Sequence, residues 1–418
     1  MFSGILLPSA LRGLTTDGRL LFLTRFVRLF AYGSLSVILV FYLVSLGLSE
    51  SKTGLILSLT LAGDIAVSLY LTTRADRVGR RRMLVAGAVL MTLAGLAFAF
   101  TSNLIFLIIA GTIGVISPSG NEVGPFLSIE QASLSHLTPN ILRTEVFAWY
   151  TLTGSVATAL GALFGGVITQ ALQRRSMAPV ASYRCIVLLY AVLGLVLVCL
   201  FARISAMVEV NRSEGMTSPI SSFLGLDRSR NIVLRLSALF ALDSFAGGFV
   251  VQSFAAYWFY LRFGAEPKTL GGIFFWVNLF AGISALLASK LATRIGLVRT
   301  MVVTHLPSNV LLIAVPLMPT LGLAVFILLL RFSISQMDVP TRQSYLMAVV
   351  EAAERSAAGG VTGVARTTGA AVSPLLAGFL FARPGLINLP FYIAGSLKIV
   401  YDLLLYFSFR KVRPQEES

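Results

Sequence analysis

The sequence predicts an all-α polytopic membrane protein with twelve transmembrane helices in two pseudo-symmetric six-helix bundles, and three observations predict it. Of 418 residues, 56% are hydrophobic and only 12% charged, with a mean hydropathy of +0.85, against about a quarter charged in soluble domains. Apolar stretches of the roughly 20 residues that a helix needs to cross a bilayer recur along the whole chain. Basic residues alternate in density from loop to loop. Twenty Lys and Arg fall in the N-terminus, the even-numbered loops and the C-terminus, and seven in the odd-numbered loops, with charges at span edges counted in the adjoining loop. That asymmetry places both termini in the cytoplasm. It also assigns the net charge of +15 to loops at a membrane surface, with no nucleic-acid partner expected.

In chain order, the spans are expected near 22–46, 54–73, 83–101, 104–127, 146–171 and 184–203, then 232–261, 270–291, 300–318, 321–340, 358–381 and 390–409. Residues 1–18 lack the basic, apolar and small-residue order of a cleavable leader, so the first span serves as its own insertion signal. The longest polar stretch separates six spans from six. This divides the chain into an N-terminal bundle (1–203), a cytoplasmic linker (204–231) and a C-terminal bundle with a short cytoplasmic tail (232–418). Span 4 is interrupted by Gly and Pro over 117–125 and span 10 over 333–340, while Gly247 and Gly248 loosen span 7.

Two registers relate the halves. At an offset of 217, Gly54, Arg77, Gly79 and Arg82 fall on Gly271, Arg294, Gly296 and Arg299; at 212, Gln131, Arg143 and Gly166 fall on Gln343, Arg355 and Gly378. Internally consistent registers of this kind indicate a duplicated six-helix unit. Spans 5 and 11 carry small-residue runs, including Gly161, Gly165 and Gly166 and then Gly369, Ser373, Ala377 and Gly378, which let helices approach closely.

Between spans 2 and 3, five arginines (Arg74, Arg77, Arg80, Arg81 and Arg82) sit within nine residues. Asp76, Arg77, Gly79, Arg80 and Arg81 resemble the signature loop of the major facilitator superfamily, with Thr72 and Arg74 standing where the family has Gly and Leu. The resemblance implies a secondary transporter rather than an enzyme, moving a small solute by alternating access and coupled to a proton gradient. It further implies that this turn latches the cytoplasmic side in the outward-facing state. The expected partners are a small-molecule substrate, protons and the lipid bilayer, for a monomer in the plasma (inner) membrane. Export of a small organic compound is expected. Uptake or exchange of a small anion, suggested by Arg28, Arg331 and Arg366, is the alternative, as is a non-transporting receptor or lipid-moving protein on the same fold.

No phosphate loop or metal-binding spacing appears, and no cofactor is expected. His136 and His305 lie far apart without acidic or Cys neighbours in sequence, so neither is assigned a metal. The informative residues are intramembrane charges, each costing several kcal/mol unless paired or hydrated. Asp243 lies about eleven residues into span 7, near the midplane. It is the candidate proton-coupling acid, or else the fixed partner of Arg331 or Arg366. Arg28 and Asp64 are cavity candidates, Asp64 belonging to a one-faced stripe with Thr53, Thr60, Ser68 and Thr72. Glu122 and Asp338, at the interruptions of spans 4 and 10, are expected to gate the cytoplasmic end with Arg143, Arg342 or Arg355, or to contact substrate.

Overall fold

The computed structural model describes residues 13–121, 125–139, 142–209, 226–351 and 354–410, and the backbone alone at Thr73, Asp76, Arg77, Thr144, Ala206, Ser289 and Ser356. The first half runs α1 (Thr16–Ser45), α2 (Glu50–Val78), α3 (Arg80–Phe100), α4 (Leu104–Ile113), α5 (Phe126–Leu137), α6 (Arg143–Arg174) and α7 (Pro179–Phe201). The second runs α8 (Arg230–Gly248), α9 (Gln252–Phe263), α10 (Pro267–Ile295), α11 (Leu297–Ala314), α12 (Leu321–Ser335), α13 (Asp338–Val349), α14 (Arg355–Phe381) and α15 (Leu389–Phe409). Among the described residues, eleven helical segments are long and apolar enough to cross a membrane, with α8 and α9 forming one and α12 and α13 another; α4 is a shorter apolar helix. The protein is an integral multi-pass membrane protein. Bulky apolar side chains such as Phe100, Phe106, Phe326 and Phe407 are exposed on its flanks, where hydrocarbon rather than water is the solvent.

Four helices start at a side chain that accepts from their orphan N–H groups. Thr15 accepts from Gly18 at 3.1 Å, Ser49 from Lys52 at 3.3 Å, Asn103 from Ile105 at 2.9 Å and Thr320 from Leu323 at 3.4 Å. The duplication is visible in the turns. Gly79 and Gly296 adopt φ of 116° and 83°, and Gly47 and Gly264 adopt 89° and 67°, both pairs at the 217 offset. A side chain at any of the four would be strained.

Spans 4, 7 and 10 are broken at the places where Gly and Pro interrupt or loosen them in the sequence. In span 4 the helix stops at Ile113 and resumes at Phe126. Pro118 and Gly120, at φ 71°, lie in the gap, and Pro125 precedes the restart. Span 7 breaks between Gly248 and Gln252, and span 10 between Ser335 and Asp338. Backbone freed within a bilayer must find partners inside the protein. The breaks of spans 4 and 7 satisfy one another: the Pro118 carbonyl accepts from the Ser253 N–H at 3.1 Å and also from the Ser253 hydroxyl.

The halves meet along two equivalent contacts, α2 with α14 and α6 with α10. Both rest on glycine. A Cβ at Gly54 would lie 2.4 Å from the Pro374 oxygen, and one at Gly166 would lie 2.2 Å from the Pro267 oxygen. Gly54, Gly166, Gly271 and Gly378 all belong to the end of the bundle opposite the arginine-rich turn. Hydrogen bonds near that end also cross between halves: Tyr257 to Glu50 (2.7 Å), Lys268 N–H to Gln170 (2.9 Å), Gln170 to Glu266, and Leu375 N–H to Ser58 (2.7 Å).

Candidate functional site

Each half buries a charged cluster at the same depth. In the first half, α1 carries Arg28 and α5 carries Glu130, both fully buried. Two Arg28–Glu130 hydrogen bonds of 2.7 Å form a bidentate pair. Thr24 donates to the same carboxylate at 3.0 Å, as does the Tyr150 hydroxyl, and the Arg25 guanidinium lies over the Tyr150 ring at 4.2 Å. Arg28, expected to line a cavity, is paired with Glu130. Depth in the bilayer could be read from the sequence, but the carboxylate brought to it by the broken span 4 could not.

The cluster of the second half draws on five spans. Asp243 (α8) accepts from Arg342 (α13) at 2.9 Å and from Lys398 (α15) at 2.5 Å, and His305 Nε2 (α11) stands 3.8 Å from it. His305 Nδ1 lies 2.8 Å from the Asp402 carboxylate, whose other oxygen accepts from Asn309 at 2.8 Å. Asp338 lies 3.7 Å from Arg342. Arg331 (α12) and Arg366 (α14) are within Coulombic reach of Asp243 and Asp338. All except the half-buried Arg366 are buried.

One expectation is corrected here. Asp243 bonds to Arg342 and Lys398 rather than to Arg331 or Arg366, because bilayer depth fixes a level along the helix and not the direction its side chain faces. His305, without acidic neighbours in sequence, meets Asp402 and Asp243 from other helices.

The remaining candidates are scattered. Asp64 is half-buried and accepts from Ser68 at 3.1 Å, so part of its stripe is bonded to itself. Arg143 donates to the Ser135 carbonyl at 3.1 Å, bracing the end of α5, and Arg355 is exposed at the start of α14. Glu122 and the side chains of Asp76 and Arg77 lie outside the described residues. The rest of the turn is held by the residues that follow the first half. Glu209 accepts from the N–H groups of Arg80 (2.7 Å) and Arg81 (3.1 Å), capping α3 beside Gly79, while buried Arg80 donates to the Val208 carbonyl at 3.3 Å.

Sequence reasoning missed Glu130, His305, Lys398 and Asp402 as site members. The repeat was the available signal. Close contacts pair Gly33 with Thr158 and Gly248 with Ala370, which sets an offset of 215 for spans 1 and 7 beside 212 for spans 4 and 5. On these registers Arg28 falls on Asp243 and Glu130 on Arg342. The ion pair is retained at the equivalent place with its signs exchanged.

The family model of the Major Facilitator Superfamily matches residues 21–338. The chain belongs to the major facilitator superfamily. Its fold and family are those of secondary transporters rather than enzymes. The chain is 32% identical to an uncharacterized membrane protein of Saccharomyces cerevisiae over 417 residues, which is 93% of each. It is 28% identical to a Na(+), Li(+), K(+)/H(+) antiporter of Planococcus maritimus over 128 residues, covering 28% of each. Its structure is similar to that of a point mutant of the nucleoside transporter NupG, with TM-score 0.77 and 13% identity over 94% of this chain and 100% of that one. At that identity the likeness speaks for the fold alone.

Proposed function

We propose that this superfamily member is a proton-coupled secondary transporter of a small organic solute, with Asp243 as the group that takes up and releases the proton. One observation carries this reading. A buried carboxylate is shared between Arg342 at 2.9 Å and Lys398 at 2.5 Å and borders the His305–Asp402 couple, with Arg342, Lys398 and His305 on three different spans. Rotation of these helices during alternating access changes which cation Asp243 faces, and its proton affinity changes with the partner. The Arg28–Glu130 pair gives the contrast: its carboxylate is saturated by four donor groups.

In this proposal both termini and the arginine-rich turn are cytoplasmic, in the plasma (inner) membrane, as the distribution of basic residues indicates. The glycine contacts then shut the external end, and the structure corresponds to the cytoplasm-open state. The direction is export in exchange for protons, which the partial likeness to an antiporter supports. In proteoliposomes, Asp243→Asn should abolish gradient-driven accumulation while leaving solute exchange in place. Accumulation with an unchanged pH dependence would overturn the assignment.

A further inference from the structure

Among the described residues, the charges of the second-half cluster do not balance, and the imbalance bears on what the transporter carries. Four cations, Arg331, Arg342, Arg366 and Lys398, share it with three carboxylates, Asp243, Asp338 and Asp402. The carboxylates are engaged by others: Asp243 by Arg342 and Lys398, Asp402 by His305 and Asn309, and Asp338 by Arg342 at 3.7 Å. The surplus therefore falls on Arg331 and Arg366. Arg331 is 8% exposed, and its Nε has no hydrogen-bond partner among the described residues; the buried Nε of Arg366 has none either. Arg342 Nε is a further guanidinium donor without a partner among the described residues, while Asn309 Oδ1 is an acceptor without one. The cluster's unpartnered donors that cannot also accept are thus three guanidinium Nε groups. A guanidinium only donates, and its planar fork matches the two oxygens of a carboxylate or phosphate. An unneutralised charge at this depth is costly, so a site that keeps one is poised for a ligand of opposite sign.

We infer that the transported solute is a small soluble organic anion whose acidic group is held by Arg331 and Arg366. The inference rests on the transporter reading but not on its direction. In the first half, by contrast, Arg28 gives two hydrogen bonds to Glu130.

The test is thermal unfolding of the purified full chain in detergent at fixed ionic strength, comparing sodium acetate, benzoate and inorganic phosphate with chloride, and benzylamine as the cationic counterpart. At least one of the three test anions should raise the unfolding midpoint of the native protein by about 2 °C or more. R331Q and R366Q should each weaken that response about tenfold or more in midpoint concentration, while an R174Q control at an exposed helix end keeps it. Arg366 is half-buried, so R366Q serves if R331Q does not fold. No shift with any of the three anions, an equal shift in both variants, or a larger shift with benzylamine would overturn the inference. So would a shift obtained only with phosphatidylglycerol added to the micelles, which would assign the site to a lipid headgroup. Saturable flux of a neutral or cationic solute, insensitive to R331Q and R366Q, would refute the anion while leaving the transporter reading intact. An anion shift without flux of any solute would do the reverse.

Discussion

Glu130 has four hydrogen bonds and no exposure, so its replacement tests how a buried pair behaves when one partner goes. Removing one member leaves an uncompensated buried charge, which costs about 3–5 kcal/mol. Glu130→Gln should therefore lower the unfolding midpoint markedly, and the double variant Arg28→Gln with Glu130→Gln should recover much of the loss. A double variant no more stable than the single one would show that the pair is not the source. The charge-exchanged counterpart gives a second prediction at this scale. Arg342→Gln leaves Asp243 with Lys398 at 2.5 Å, so it should be tolerated better than Glu130→Gln and should act on the pH dependence of transport more than on folding. Equal loss of folded protein in both would place the two pairs in the same structural role.

At the scale of elements, the start of α8 is tied to the start of α14. Glu354 accepts from the N–H groups of Asp227 (2.9 Å), Arg228 (3.1 Å) and Ser229 (3.0 Å). Burial pushes its carboxyl up, but these backbone donors prevail and hold it below the usual carboxylate range. A depressed pKa contributes stability that is present above the unfolded value, near 4.3, and is lost as pH falls through the folded one. A spin label at Arg228→Cys should accordingly gain mobility as the pH is lowered below about 4. In Glu354→Gln it should be mobile at all pH values. A label equally immobile in both would mean that the carboxylate does not hold this junction. The breaks in spans 4 and 7 belong to the same scale, because each is tolerated through the other. Ser253→Ala removes one of the two bonds to the Pro118 carbonyl and should destabilise by about 1 kcal/mol, measurable as a lowered unfolding midpoint.

For the whole molecule, the two glycine contacts between halves act as a hinge closed at one end. A side chain at Gly54 or Gly166 would meet backbone oxygen at 2.4 Å or 2.2 Å, closer than atoms can approach, so the halves must part. Gly166→Val should shift the conformational balance toward the state open at that end, read as faster labelling of a cysteine placed at Ser58. Asp76→Asn carries the opposing expectation if the arginine-rich turn latches the other end in the outward-facing state: labelling at Arg355→Cys, beside that end, should change. Unchanged labelling and transport would remove the latch.

Much of this architecture could be read from the order of residues, because a bilayer admits few solutions. Apolar length set the spans, and recurrent glycines at 217 and 212 gave the duplication. The same constraint made Asp243 stand out as an acid that the hydrocarbon cannot solvate. What the sequence could not supply was azimuth. A residue's depth follows from counting, but the neighbour it faces depends on how five spans rotate about one another. For that reason Arg342 and Lys398, rather than Arg331 or Arg366, turned out to bond Asp243. Glu130 and Asp402, unremarkable in their own stretches, acquired partners 102 and 97 residues away. Tertiary packing decided which charges are spent on one another.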